Sequence, residues 1–224
     1  MRPTLTLSAA LIAAVAGTSH ASLLVNGDFE TGAVALGGQA HTPAPWTSSA
    51  PGNPFINWDT WEDTGTTGLP PSFAGLFTGA TAPSGVRWAG GFDFEEMGQL
   101  LGSALTPGNT YNISAMVRPC NPHPPSSFEF YIGTGPSNPV TLVATFPMVT
   151  AGSWHAQSMN FVAPANAGAN PWFLIKAYSI GANGTPQSVY VGIDNVVLDL
   201  VPAPGAVAML GLAGSVAALR RRRH

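Results

Sequence analysis

Two acidic segments stand far apart in this 224-residue chain, Asn26-Gly27-Asp28-Phe29-Glu30 near its start and Ile193-Asp194-Asn195 near its end. If the first and last strands of one sandwich lie side by side, Glu30 and Asp194 come together. Two carboxylates that face each other in a partly dry place repel and resist ionisation. A calcium ion relieves that repulsion, because it gathers roughly six to eight oxygens from carboxylates and backbone carbonyls. A structural calcium is one reading of the pair. The alternative is that Asp28 is a turn residue, Glu30 a solvated carboxylate and Asp194 a hydrogen-bonding residue at a strand end.

Aromatic residues are the second source of chemistry. The tryptophans Trp46, Trp58, Trp61, Trp88, Trp154 and Trp172 all fall between positions 22 and 200. An indole offers a broad apolar face for the C–H side of a sugar and one N–H donor for a hydroxyl. Trp154 and Trp172 sit in strong strand patterns and read as core. Trp58 and Trp61 are three apart, so a regular strand points them to opposite faces. Trp61, beside Glu62 and Asp63 at a loop mouth, and Trp88 are the candidate sugar contacts. Arg87 is a candidate donor to hydroxyls, with an ion pair to one of the acids as its alternative.

Patterns for catalysis are weak. Asp93-Phe94-Glu95-Glu96 offers adjacent acids, but glycoside hydrolysis needs two carboxylates at a set separation on one face. Neighbouring strand residues face opposite ways, so a solvated loop explains these acids better. His41, His123 and His155 lack the spacing of a zinc site. The sequence contains no Gly-x-Ser-x-Gly elbow and no glycine-rich phosphate loop before a helix. The expected protein is not an enzyme.

The elements that must position these residues are strands. Short runs alternate apolar and polar residues between Gly, Pro, Asn and Ser clusters. Expected strands are Ser22–Val25, Phe55–Trp61, Val86–Ala89, Met97–Leu101 and Tyr111–Arg118. Phe128–Ile132, Val140–Phe146, Trp154–Phe161, Trp172–Tyr178 and Val189–Leu200 follow. No window shows a convincing amphipathic helix. About ten short strands in one domain of this length point to an all-β antiparallel sandwich, best a jelly roll. Long loops are expected at Thr31–Ala44, Asp63–Ser72 and Pro119–Ser127.

The two ends read as targeting segments. Arg2, an apolar stretch from about Leu5 to Ala16 and Ser19-His20-Ala21 have the layout of a secretory signal peptide, cleaved after Ala21. At the other end, Val201-Pro202-Ala203-Pro204-Gly205 breaks regular structure. An uncharged run to Leu219 and the block Arg220, Arg221, Arg222, Arg223 follow. The run is shorter than the roughly 20 residues of a usual spanning helix, and the arginines would hold its end on the cytoplasmic side. The expected organisation is a signal helix over 1–21, a sandwich over 22–200 and an apolar anchor helix over 201–224. With the ends set aside, Arg87, Arg118 and Lys176 face 11 acids, so residues 22–200 carry 3 − 11 = −8. Such a domain has no electrostatic reason to bind nucleic acid. Cys120 is the single cysteine, which excludes an internal disulfide.

The proline motif, short apolar helix and terminal arginines resemble a PEP-CTERM sorting signal, although Ala203 stands where that motif has glutamate. The resemblance implies an exosortase-like processing enzyme as partner, membrane attachment before processing, and delivery to the envelope surface or extracellular matrix. Leu23-Leu24-Val25-Asn26-Gly27-Asp28-Phe29-Glu30 resembles the opening strand of xylanase-associated carbohydrate-binding modules with the galactose-binding-like jelly roll. Gly108-Asn109-Thr110-Tyr111-Asn112-Ile113-Ser114 and Tyr190-Val191-Gly192-Ile193-Asp194-Asn195-Val196 resemble their middle and closing strands. This likeness covers about Leu23 to Leu200. It implies a structural calcium on Glu30 and Asp194, with Asn26 and Asp28 as further contributors. It also implies a non-catalytic module that binds a polysaccharide or matrix. A structural matrix protein without a small ligand is the alternative, and a secreted glycan hydrolase a remote third.

Overall fold

The computed structural model describes residues 22–31, 44–48, 58–62, 81–93, 95–120, 125–150, 152–180 and 189–203, with backbone alone for 59, 61 and 62. The expected signal segment lies outside the described residues. So do Pro204, Gly205, Arg220, Arg221, Arg222 and Arg223 of the sorting motif, and most of the expected loops at 31–44 and 63–72. Residues Ala21–Val201 form one compact unit. Among the described residues no helix is long and apolar enough to cross a membrane.

Among the described residues ten strands build the unit: β1 (Thr47–Ser48), β2 (Asp59–Glu62), β3 (Arg87–Phe92), β4 (Glu96–Leu100), β5 (Thr110–Pro119), β6 (Ser127–Gly135), β7 (Asn138–Thr145), β8 (His155–Val162), β9 (Trp172–Tyr178) and β10 (Tyr190–Leu200). They form two five-stranded antiparallel sheets. The first has the order β1-β4-β9-β6-β7 and the second β2-β3-β10-β5-β8. The expected all-β antiparallel sandwich is therefore the observed fold.

Period-two patterning explains the layers. In β5, Ile113, Ala115 and Val117 are buried while Asn112, Ser114 and Met116 are less so. In β9, Phe173, Ile175 and Ala177 join the core between the sheets. In β10 the apolar residues change parity, from Val191 and Ile193 to Val196 and Leu198. A bulge between Asp194 and Val197 accounts for the change, with Asn195 in the left-handed region at φ 52°. One extra residue turns the strand's faces over without breaking the sheet.

The expected strand Ser22–Val25 is an irregular segment that fastens the two sheets to each other. Leu23 N–H donates to Leu198 O at 2.8 Å and Val196 N–H to Gly27 O at 2.8 Å, both on β10. On the other sheet, the Gln99 side chain of β4 takes Val25 N–H at 2.7 Å and donates to Val25 O at 2.8 Å. Gln99 is buried, so these bonds satisfy an amide that would otherwise be costly to place there. Leu24 and Phe29 drop into the core, Phe29 against Trp46 with ring centroids 5.8 Å apart.

The acids at 95 and 96 are not a solvated loop. Glu95 is buried and its Oε2 accepts Phe92 N–H at 2.7 Å, which shapes the β3–β4 turn. Glu96 opens β4 and faces the opposite side.

Candidate functional site

The fold brings Glu30 and Asp194 to one short segment, 84–87. Glu30 Oε1 accepts Val86 N–H and Arg87 N–H, each at 2.8 Å. Asp194 Oδ2 accepts Ser84 N–H at 3.2 Å and its Oδ1 accepts Asn195 N–H at 2.7 Å. Asp194 is 0% exposed. Burial pushes its carboxyl up to about 7, the two backbone N–H bonds oppose that rise, and the Glu30 and Asp28 carboxylates add to it. The Asp194 carboxyl thus feels the charges of Glu30 and Asp28.

Its composition differs from the expected ligand set. Asn26 is a loop clasp: its amide donates to Thr31 O at 2.9 Å and Ala44 O at 2.8 Å, and its Oδ1 accepts Thr31 N–H at 2.9 Å. Asp28 is exposed in a turn. Arg87, expected to reach a ligand, donates from Nη1 to Glu30 O at 3.0 Å. Among the described residues, no three His, Cys, Asp or Glu side chains gather as a metal-ligand cluster. Of the four expected ligands, Glu30 and Asp194 are the two that bond segment 84–87, and a cation there would need backbone oxygens as well.

The tryptophans divide otherwise than their patterns suggest. Trp88 is 3% exposed, with its ring 5.7 Å from Trp154, edge to face. It is therefore core and has no free face for a sugar. Its position follows from two glycines: a β-carbon on Gly192 would stand 2.9 Å from the Trp88 ring, and one on Gly90 would stand 2.7 Å from the Tyr190 ring. Each ring lies over the glycine of the neighbouring strand. Trp61 lies in β2 opposite Trp88 in register; its side chain is outside the described residues. Trp154 and Trp172, expected in the core, are only half-buried.

Trp172 belongs to a polar and aromatic surface on the outer face of the first sheet. Register places Glu96 of β4, Lys176 of β9 and Glu129 of β6 in one row. Lys176 Nζ is 3.6 Å from Glu96 Oε1, and the two side chains keep 33% and 14% of their surface exposed. Tyr131 O–H donates to Glu129 Oε2 at 2.5 Å. Burial holds the Tyr131 phenol well above its ordinary range, followed by the bond to Glu129, the nearby carboxylates and Tyr178. The phenol thus remains a donor at any physiological pH. Trp172 lies farther along β9, between Leu100, which is 55% exposed, and Gly133, which presents no side chain beside the ring. Leu174 separates Trp172 from Lys176 and is buried, with the β6–β7 turn residue Pro136 close to Gly98 next to it. From Trp172 to Tyr178 this surface runs about 20 Å along the strand.

Such a surface can stack an apolar ring face and hydrogen-bond hydroxyls at fixed positions. The sequence carries its signal: Trp172, Lys176 and Tyr178 share one parity in β9, and Glu129 and Tyr131 share one in β6. What it does not carry is the pairing of β4, β9 and β6, which joins the two groups.

No family model matches the chain, and no curated protein matches it. Among solved structures, it is similar to the Stig cyclase FisC of Fischerella sp. TAU, bound to (3Z)-3-(1-methyl-2-pyrrolidinylidene)-3H-indole. That match has a TM-score of 0.55 and 16% identity, over 82% of this chain and 98% of that one. An apo cyclase of Fischerella sp. matches at 0.52 and 17%, over 80% and 95%. A xylan-binding family 22 carbohydrate-binding module of Paenibacillus barcinonensis matches at 0.44 and 14%, over 77% and 97%. At these identities the first two likenesses establish the sandwich fold.

Proposed function

We propose that this chain is a non-catalytic glycan-binding protein that uses the outer face of the first sheet, with Trp172 as its stacking residue. The observation that carries this reading is the half-buried Trp172 ring on the same strand face as Lys176, which register sets between Glu96 and Glu129, with Tyr131 opposite the intervening Leu174. Hydroxyls are recognised by donors and acceptors held in place, and here the Lys176–Glu96 contact and the Tyr131–Glu129 bond hold them. The domain charge of −8, from 3 − 11 over residues 22–200, disfavours anionic polysaccharides and leaves neutral ones as the expected class.

Trp172→Ala is expected to weaken binding to a neutral polysaccharide about tenfold, since an aromatic stacking contact contributes about 1 kcal/mol beyond its buried area. Lys176→Ala should weaken it less. Affinity electrophoresis in gels containing each polysaccharide measures both. Equal retardation of both variants and the parent would remove this face from the reading.

Glu96 and Glu129 stand two strand spacings apart, about 10 Å between backbones, near the separation of an inverting glycosidase pair. Lys176 lies between them and Tyr131 binds Glu129, which favours binding over hydrolysis. The calcium at Glu30 and Asp194 belongs to the same reading and is supported by the dry, like-charged neighbourhood of Asp194. When bound, the ion would neutralise that charge; this chain's own residues hold segment 84–87 in place.

Export, and surface or matrix delivery through an exosortase-like enzyme, complete the proposal. The compact unit ends at Val201, whose N–H donates to Thr110 O at 2.9 Å, and Pro202 and Ala203 follow immediately. A processing enzyme would therefore meet the motif just where the sandwich stops. Intact mass of the protein recovered from its native cell surface should lack Arg220 to Arg223; a mass that includes them would contradict cleavage.

A further inference from the structure

We propose that β8 is a self-association edge that pairs antiparallel with β8 of a second copy of this chain across a two-fold axis. Among the described residues four strands end the two sheets: β1, β7, β2 and β8. Natural edges are blunted by short length, charge, proline or bulges. β1 has two residues. β2 has four, among them Asp59 and Glu62. β7 contains Pro139 and breaks register with β6 at three places. β8 has none of these protections. It is eight residues long, His155-Ala156-Gln157-Ser158-Met159-Asn160-Phe161-Val162, without proline, glycine, Asp, Glu, Lys or Arg. It pairs with β5 from Thr110–Val162 to Val117–His155 without a shift.

The orientation of its backbone follows from the residue after it. Ala163 N–H donates to Asn109 O, and Ala163 O accepts Gly108 N–H, both at 2.9 Å. Residue 163 therefore turns its amide and carbonyl toward the β5 side. Alternation then turns those of Val162, Asn160, Ser158 and Ala156 outward. The same four residues are the exposed ones in the strand. A second extended strand can satisfy such a row of donors and acceptors in place of water.

A second copy is the occupant that the side chains favour. With Met159 on the axis, Ser158 faces Asn160 and Ala156 faces Val162. A hydroxyl meets an amide, and the smallest side chain meets a valine that is 61% exposed in the single chain. A two-fold axis sets each group against its own symmetry mate's neighbours. In a domain of net charge −8, an uncharged edge is where two copies approach with least repulsion.

Disulfide trapping in the intact chain tests this directly. Directly opposed residues in an outward hydrogen-bonded pair have Cα atoms about 5.5 Å apart, within disulfide range. The native Cys120 is buried. The double variant Ala156→Cys/Val162→Cys is expected to run as a covalent dimer on a non-reducing gel after mild oxidation. Each single variant is expected to stay monomeric, because residue 156 lies about 20 Å from its own symmetry mate. Unchanged melting curves establish that the variants are folded. A folded double variant that remains monomeric, or single variants that cross-link as well as the double, would overturn the proposal.

Discussion

Raising the pH through the interval from about 4 to about 7 is expected to lower the stability of the sandwich, and Asp194→Asn is expected to remove most of that loss. The carboxyl of Asp194 rises from 3.8 to about 7 on folding. Between those values the folded state binds more protons than the unfolded one, so stability falls as pH rises. The contribution is fully present below about 4 and is lost as pH passes through about 7. Three pKa units correspond to on the order of 4 kcal/mol, an upper bound because the site relaxes when it ionises. Calcium changes this profile in one direction. A bound cation opposes the Glu30 and Asp28 charges, so the melting temperature should become nearly flat with pH in excess calcium and regain its slope in EDTA. A slope that ignores both calcium and EDTA would remove the metal and leave the backbone N–H clasp alone. The measurement is a melting series across pH for the parent and Asp194→Asn, with each addition.

Gly27→Ala should destabilise the protein by about 3 kcal/mol, as over-packing against backbone does. A β-carbon at position 27 would stand 2.0 Å from Val196 O and 3.0 Å from Val196 C. Those atoms belong to the bulged part of β10, and Gly27 O accepts Val196 N–H at 2.8 Å. The neighbour cannot swing aside as a long side chain would. Relief requires the opening segment to lift from β10, which also pulls on the Gln99–Val25 bonds to the other sheet. In a domain of this size the melting temperature should fall by roughly 6–12 °C. Gly168→Ala, where nothing stands within 4 Å of the added carbon, is the control and should change stability by less than about 0.5 kcal/mol. Equal melting temperatures for the two variants would contradict the fastening role of residues 22–30.

Most of the sandwich was legible because its strands obey a period of two. Tyr111–Arg118 is read from its alternation, and it forms a strand. The convergence of Glu30 and Asp194 is expected on the condition that the first and last segments lie side by side, and the Leu23–Leu198 and Val196–Gly27 bonds hold them so. Three things were hidden. The opening segment fastens the sheets through a buried Gln99, and nothing in Met97-Gly98-Gln99 shows that a glutamine will face inward. The bulge after Asp194 shifts parity inside an apparently regular run. The burial of Trp88 depends on Gly192, a residue 104 positions away (192 − 88) that leaves room for the ring. Among the described tryptophans, Trp154 and Trp172 stay partly open while Trp88 does not: exposure is decided by which strands lie beside a residue, not by its own neighbours in the chain.

The most direct test of glycan binding is to measure the intact protein and its Trp172→Ala variant against a panel of neutral polysaccharides, with melting curves recorded for both. Saturable binding to at least one class, lost or weakened about tenfold in a variant that melts like the parent, is the expected result. Absence of binding across the panel, or binding that Trp172→Ala leaves untouched, would contradict the site on the first sheet's outer face.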